Sequence, residues 1–141
     1  MKTFKTHLLV QTQHVDSTGI VHFPRYIEMA HSVVEQWFDE ALDHGFAQFH
    51  GSDNAALPVG QAEMRFPAPS RLGDSLVWRL QVKQVGQSSL ALALTASCGG
   101  EVRAEMTLVF ILSEMGVMRP RRWPEQLRLR AKDYLIEKEG A

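Results

Sequence analysis

One cysteine in 141 residues, Cys98, excludes an intramolecular disulfide and an all-cysteine zinc site. Set among small residues in a strand-like run, it reads as a small buried hydrophobe. Long apolar runs are missing too. Nothing approaches the ~20 residues of a membrane helix, and "MKTFKTHLLVQTQH" lacks the apolar core of a secretory leader. A cytoplasmic protein with no membrane partner is therefore expected. Nor is there an excess of positive charge: the formal net charge of -1 argues against nucleic acid as a partner. No repeat, linker or low-complexity segment interrupts the chain. Its length suits one domain over residues 1–141, burying about two thirds of the surface its unfolded chain would expose.

What is present is a change of period. Phe4, Thr6, Leu8 and Val10 alternate as in a strand over residues 3–13. From Pro24 the apolar residues Ile27, Ala30, Val33, Val34, Trp37, Phe38, Ala41 and Leu42 recur at helical steps, with Glu28, His31, Glu35, Gln36, Asp39 and Asp43 between them. This predicts an amphipathic helix of about five turns, with Pro24 at its first position and Gly45 as its C-terminal cap. Four strand-like segments follow: "LPVGQAEMRF", "SLVWRLQVKQVG", "SSLALALTASC" and "EVRAEMTLVFIL". Turns at Gly86 and Gly99-Gly100 make the last three an antiparallel meander. "WPEQLRLRAKDYLIEKE" predicts a closing surface helix. One helical stripe and one sheet must cover each other, and the glycine and alanine faces of the sheet would allow close approach. Trp37, Phe38, Trp78 and Phe110 read as core.

Two stretches carry a family resemblance. "VDSTGIVHFPRYIEMAH" resembles the D-x-x-G-h-V-h-h-x-x-Y signature (h apolar) of the 4-hydroxybenzoyl-CoA thioesterase family, filled by Asp16, Gly19, Ile20, Val21, Phe23 and Tyr26, with His22 in one h position. "RFPAPSRLGDSLVW" resembles the F-x-x-P-x-x-x-G-D-x-L turn of the same superfamily, through Phe66, Pro69, Gly73, Asp74 and Leu76. With the element order, the resemblance covers about residues 5–112. It implies an α+β hotdog fold: a long central helix wrapped by a five-stranded antiparallel sheet, here with a C-terminal surface helix. It implies an acyl-CoA thioesterase, hydrolysing a thioester to a free carboxylic acid and CoA, with no cofactor and no metal, assembled as a homodimer or homotetramer. A carrier-protein thioesterase and a non-catalytic acyl-CoA-binding protein are the alternatives on the same fold.

Carried over residue by residue, Asp16 matches the catalytic carboxylate. Phe23 stands where a backbone N–H at the helix start holds the thioester oxygen. Helix N-termini do present unpaired N–H groups and favour negative charge, which suits a developing oxyanion. Asp16 could act as nucleophile, since a thiolate leaves readily, or as general base toward water, or it could simply cap its own turn. This chain departs from the family at His14, where an acidic residue is common, and at His22. It also has "VGQSS" where a bacterial enzyme of the family carries basic residues. Its basic residues gather late instead, at Arg119, Arg121, Arg122, Arg128, Arg130 and Lys132. They suit either a solvated helix or the phosphates of a ligand. His14, Asp16, His22 and His31 contain the residue types of a metal site but not its spacing. Glu28 and Glu35, between the apolar helix positions, should face solvent.

Overall fold

The computed structural model describes residues 2–136. Strand β1 (Phe4–Leu9) leads through a 3-10 turn at Thr12–His14 to helix α1 (Phe23–Glu40). After a short helix α2 (Phe46–His50) and strand β2 (Ala55–Ala56) come β3 (Val59–Arg65), β4 (Ser75–Val85), β5 (Ser89–Cys98) and β6 (Glu101–Ile111). Strand β7 (Ser113–Glu114) pairs with β2, and α3 (Glu125–Lys132) closes the described chain. The main sheet has five antiparallel strands in the order β1-β4-β5-β6-β3. The β4–β5–β6 meander is present as expected, its second turn made by Gly99 and Gly100 at φ 57 and 82.

The alternation in the strands decides which face meets α1. Leu76, Trp78, Leu80 and Val82 of β4, Leu90, Leu92 and Leu94 of β5, and Met106, Leu108 and Phe110 of β6 are all buried. They enclose Met29, Ala30, Val33, Val34, Trp37 and Phe38 of α1, and the four aromatics expected in the core are each 0% exposed. The alanine face was expected against the helix, but Ala91, Ala93 and Thr95 point away from it and are half-exposed. The leucine row takes the core because larger side chains remove more apolar surface from water, and a period of two permits only one of the faces. Cys98 is half-buried and packs on the edge of this core.

The helix differs from expectation at both flanks. Ile27 is 38% exposed, so the apolar stripe is narrower than the sequence suggests. Gly45 does not cap α1. The helix stops at Ala41, the left-handed residue after it is Asp43 at φ 52, and Gly45 opens α2 instead. Aspartate tolerates that conformation better than most residues. Residues 137–139 of the predicted closing helix lie outside the described residues. No helix among the described residues is long and apolar enough to cross a membrane.

The β3–β4 turn is pinned from outside its own strands. Arg103 of β6, next to a register shift between Ala96 and Ser97, donates from Nη1 to Asp74 Oδ2 at 2.8 Å. Asp74 also accepts the Arg71 N–H at 2.9 Å. The Arg71 N–H bond first, then Arg103, hold the Asp74 carboxyl below the usual carboxylate range. A carboxylate with a depressed folded pKa adds stability that is complete above its unfolded value of about 3.9 and is lost as pH falls through the folded one. The stability advantage of the wild type over Asp74→Asn, measured by chemical denaturation, should hold steady above about pH 5 and shrink steadily below about pH 4. An advantage undiminished at about pH 2.5 would contradict this account of the turn.

Candidate active site

The first family motif folds into a tight loop ahead of α1. Val15 bridges Val21, the Asp16 N–H donates to Ile20 O at 3.0 Å, and the Gly19 N–H donates to Asp16 O at 3.0 Å. Gly19 sits at φ 81, which a residue with a Cβ adopts only at a cost. The loop is closed at its base by the His22 N–H donating to His14 O at 3.0 Å. Asp16 is exposed, and its Oδ1 accepts three donors: Thr18 N–H at 2.8 Å, Thr18 Oγ1–H at 2.5 Å and the Ile20 N–H at 3.4 Å. Asp16 therefore does cap its own turn. All three donors converge on Oδ1, and no donor among the described residues reaches Oδ2. The Thr18 hydroxyl, then the Thr18 N–H, pull its pKa below the usual carboxylate value against a partial opposing effect of desolvation. That carboxylate is ionised at neutral pH and is a weaker base than an ordinary Asp.

At the start of α1 the donors reduce to one. His22 is the N-cap and gives no side-chain cap, Pro24 has no N–H, and the Arg25 N–H donates to His22 O at 2.9 Å. No acceptor among the described residues meets the Phe23 N–H. The Phe23 ring is 56% exposed and lies near Phe66, with centroids 6.2 Å apart. Asp16 and Phe23 are thus presented by one loop, as the motif implies.

The second motif holds that loop from the other side. Val21 N–H donates to Ser70 O at 2.9 Å, Leu72 N–H to Gly19 O at 3.0 Å, and Ile20 bridges Arg71. The two quoted stretches, some fifty residues apart, make one structure.

The remaining candidates scatter. Glu28 is exposed and pairs with Arg25 at 2.6 Å. The His14 ring accepts the Gln11 N–H through Nδ1 at 2.9 Å. His31 and Glu35, whose side chains are 3.9 Å apart, lie further along α1. They flank an open cleft of about 520 Å³ with Phe46, His50, Leu57 and Met118. Among the described residues no group of three His, Cys, Asp or Glu side chains is placed to hold a metal.

Three of the late arginines serve the fold. Arg121 Nη1 donates to Asp53 O at 2.8 Å, Arg130 Nη1 to Leu42 O at 2.6 Å, and Arg128 lies 3.8 Å from Glu125. Arg130 thereby meets the C-terminal end of α1, where a cation is favoured. The 18 residues of α1 span roughly 27 Å, so Arg130 lies at the opposite end of that helix from Phe23. Arg119, Arg122 and Lys132 are exposed. Thr18, Ser70 and Arg103 escaped the sequence reading. Thr18 alone had a local signal, a hydroxyl two residues after an Asp in a glycine turn.

The family model of the thioesterase-like superfamily matches residues 10–130. A 1,4-dihydroxy-2-naphthoyl-CoA hydrolase from Synechocystis is 29% identical over 85 residues, which span 60% of this chain and 60% of that one. Less than two thirds of that relative is therefore matched. The crystal structure of a 1,4-dihydroxy-2-naphthoyl-CoA thioesterase from Synechocystis superposes with a TM-score of 0.85 at 20% identity, covering 94% of this chain and 97% of that one. A gentisyl-coenzyme A thioesterase gives 0.82 at 19% identity, covering 91% and 99%. At such identities the structural likeness speaks for the fold, and the fold is the hotdog. From the model match over most of its length, together with that fold, the chain belongs to the thioesterase-like superfamily.

Proposed function

We propose that this chain is an acyl-CoA thioesterase in which Asp16 is the nucleophile and the Phe23 N–H is the oxyanion donor. The observation that carries this reading is the pairing of an ionised carboxylate, Oδ2 open, with the one unpartnered N–H of a helix start on a single clamped loop. Oδ2 attacks the thioester carbonyl carbon, and the oxyanion that forms is stabilised by the Phe23 N–H and the positive end of α1. Collapse breaks the C–S bond and releases the CoA thiolate, leaving a mixed anhydride on Asp16. Water cleaves the anhydride, yielding the carboxylic acid and restoring Asp16. General-base action on water works best with a raised pKa, and the hydrogen bonds of Thr18 lower that of Asp16 instead.

The names of the relatives suggest a hydroxyaryl acyl group, and the cleft beside α1, whose nearest helix residue His31 lies about two turns beyond Phe23, is the pocket proposed for it. Phe46, Leu57 and Met118 offer apolar walls, while His31, Glu35 and His50 offer hydrogen-bonding groups for ring hydroxyls. Self-assembly accounts for two further features. β3 is an unpaired sheet edge, and Phe23, Ile27, Val59 and Phe66 are exposed at 56%, 38%, 45% and 38%. A second copy of the chain pairing along β3 would cover both, giving a homodimer or a dimer of dimers.

Three measurements test these statements. On the best substrate from a panel of CoA and carrier-protein thioesters, Asp16→Asn should lower kcat by about 10²–10⁴-fold or more while remaining folded by circular dichroism. A folded variant keeping more than about a tenth of wild-type kcat would overturn the role of Asp16. Within the panel, hydroxyaryl-CoA should exceed straight-chain acyl-CoA in kcat/KM by at least about tenfold, and equal values would remove the hydroxyaryl assignment. Light scattering at micromolar protein should give two or four times the 15.9 kDa chain mass, whereas a strict monomer would contradict the assembly.

A further inference from the structure

We infer that Tyr26, Ser70 and Arg103, joined with Asp74, form a partly buried positioning network that fixes the Asp16–Phe23 loop for thioester cleavage; the inference rests on the function proposed above. Ser70 is 0% exposed and Tyr26 3%. The Tyr26 hydroxyl donates to Ser70 Oγ at 2.8 Å. From the opposite side Arg103 Nη1 reaches Ser70 Oγ at 3.3 Å, Pro69 O at 3.0 Å and Asp74 Oδ2 at 2.8 Å. Its Nε lies 2.7 Å from Glu101 Oε1 but points off line, which makes an ion pair rather than an aligned hydrogen bond. The Arg103 side chain is 13% exposed and that of Asp74 27%, so these contacts are partly shielded from water.

The same turn that receives these bonds delivers the backbone contacts to the reactive loop. Ser70 O accepts the Val21 N–H at 2.9 Å, Gly19 O accepts the Leu72 N–H at 3.0 Å, and Gly73 N–H and Asp74 O tie the turn to Val10. Phe66, in the same turn, stacks on the Tyr26 ring with centroids 5.0 Å apart and lies near Phe23. Tyr26 sits one helical turn after Phe23. Its bond to Ser70 therefore sets the first turn of α1, which carries the Phe23 N–H, against the turn that supports the Asp16 loop. Neither Tyr26, Ser70 nor Arg103 needs to touch the substrate. Each acts by holding nucleophile and oxyanion donor in one geometry, and small misplacements there are costly to rate.

Tyr26→Phe and Ser70→Ala remove one hydroxyl each and leave the backbone bonds in place. Each should lower kcat roughly tenfold with KM changed less than about twofold. Because both remove the same bond, the double variant should be no slower than about twice the slower single one, a non-additive result. Arg103→Lys, which keeps the charge, should retain more kcat than Arg103→Met. Asp16→Asn run alongside separates the two readings. If Asp16→Asn is inactive while Tyr26→Phe and Ser70→Ala show wild-type kcat, the network is refuted and the site stands. If the kcat losses multiply in the double variant, or merely track losses in melting temperature, the positioning role also fails. An active Asp16→Asn overturns both.

Discussion

Everything in this molecule depends on the burial of one helical stripe under one sheet. α1 has no long second helix to share its apolar side, so the sheet must supply most of the cover. The concave leucine face of β4, β5 and β6 does so, with Trp37, Phe38, Trp78 and Phe110 fully buried between the layers. α2 and α3 extend the cover rather than forming cores of their own. Phe38 meets Phe46, Phe49 and Trp123 with ring centroids between 5.5 and 6.2 Å apart. Once α1 is fixed in this way, its N-terminus is fixed too, and an N-terminus with an unpaired N–H is a place for negative charge.

The Asp16 loop is then built by local rules and held by distant ones. Gly19 supplies the left-handed turn and Thr18 supplies two donors to the Asp16 carboxylate. Those contacts lie within four consecutive residues and need no partner from elsewhere in the chain. What stops the loop from drifting is the β3–β4 turn, whose backbone grips Gly19 and Val21 and whose side chains are gripped by Arg103 and Tyr26. A half-buried cation held against a carboxylate, a carbonyl and a hydroxyl is a weak device for stability but a precise one for geometry. Its position beside the Asp16 loop, rather than in the middle of the core, fits that use.

The late arginines illustrate how composition misleads. Six basic residues within fourteen positions suggest an anion site, yet Arg130 is taken up by a main-chain carbonyl just past the end of α1 and Arg121 by one between α2 and β2. Arg103, which carries the most connected cation in the structure, stood unremarked in an alternating strand. The difference is that clustering in sequence is visible from composition, while the partner of a single Arg is fixed only when three separate segments meet.

The sequence by itself determined the long elements and their order, though not the short α2, β2 and β7: alternation marks the long strands, a period near 3.6 marks α1, and the glycines mark the turns. Through the family resemblance it also pointed to Asp16 and the start of α1, because that motif is local. Tertiary structure decided the rest. Which face of β5 entered the core depended on competition between a leucine row and an alanine row, settled by buried area and not by the pattern, which serves both. That Asp43 takes the left-handed turn after α1 while Gly45 opens α2 appears only in the folded chain. That Ser70 is buried, and bonded to Tyr26 and Arg103, depended on contacts spanning 44 and 33 residues. Side chains so far apart in the chain carry no shared periodicity, and only the closing of the sheet around the helix brings them together.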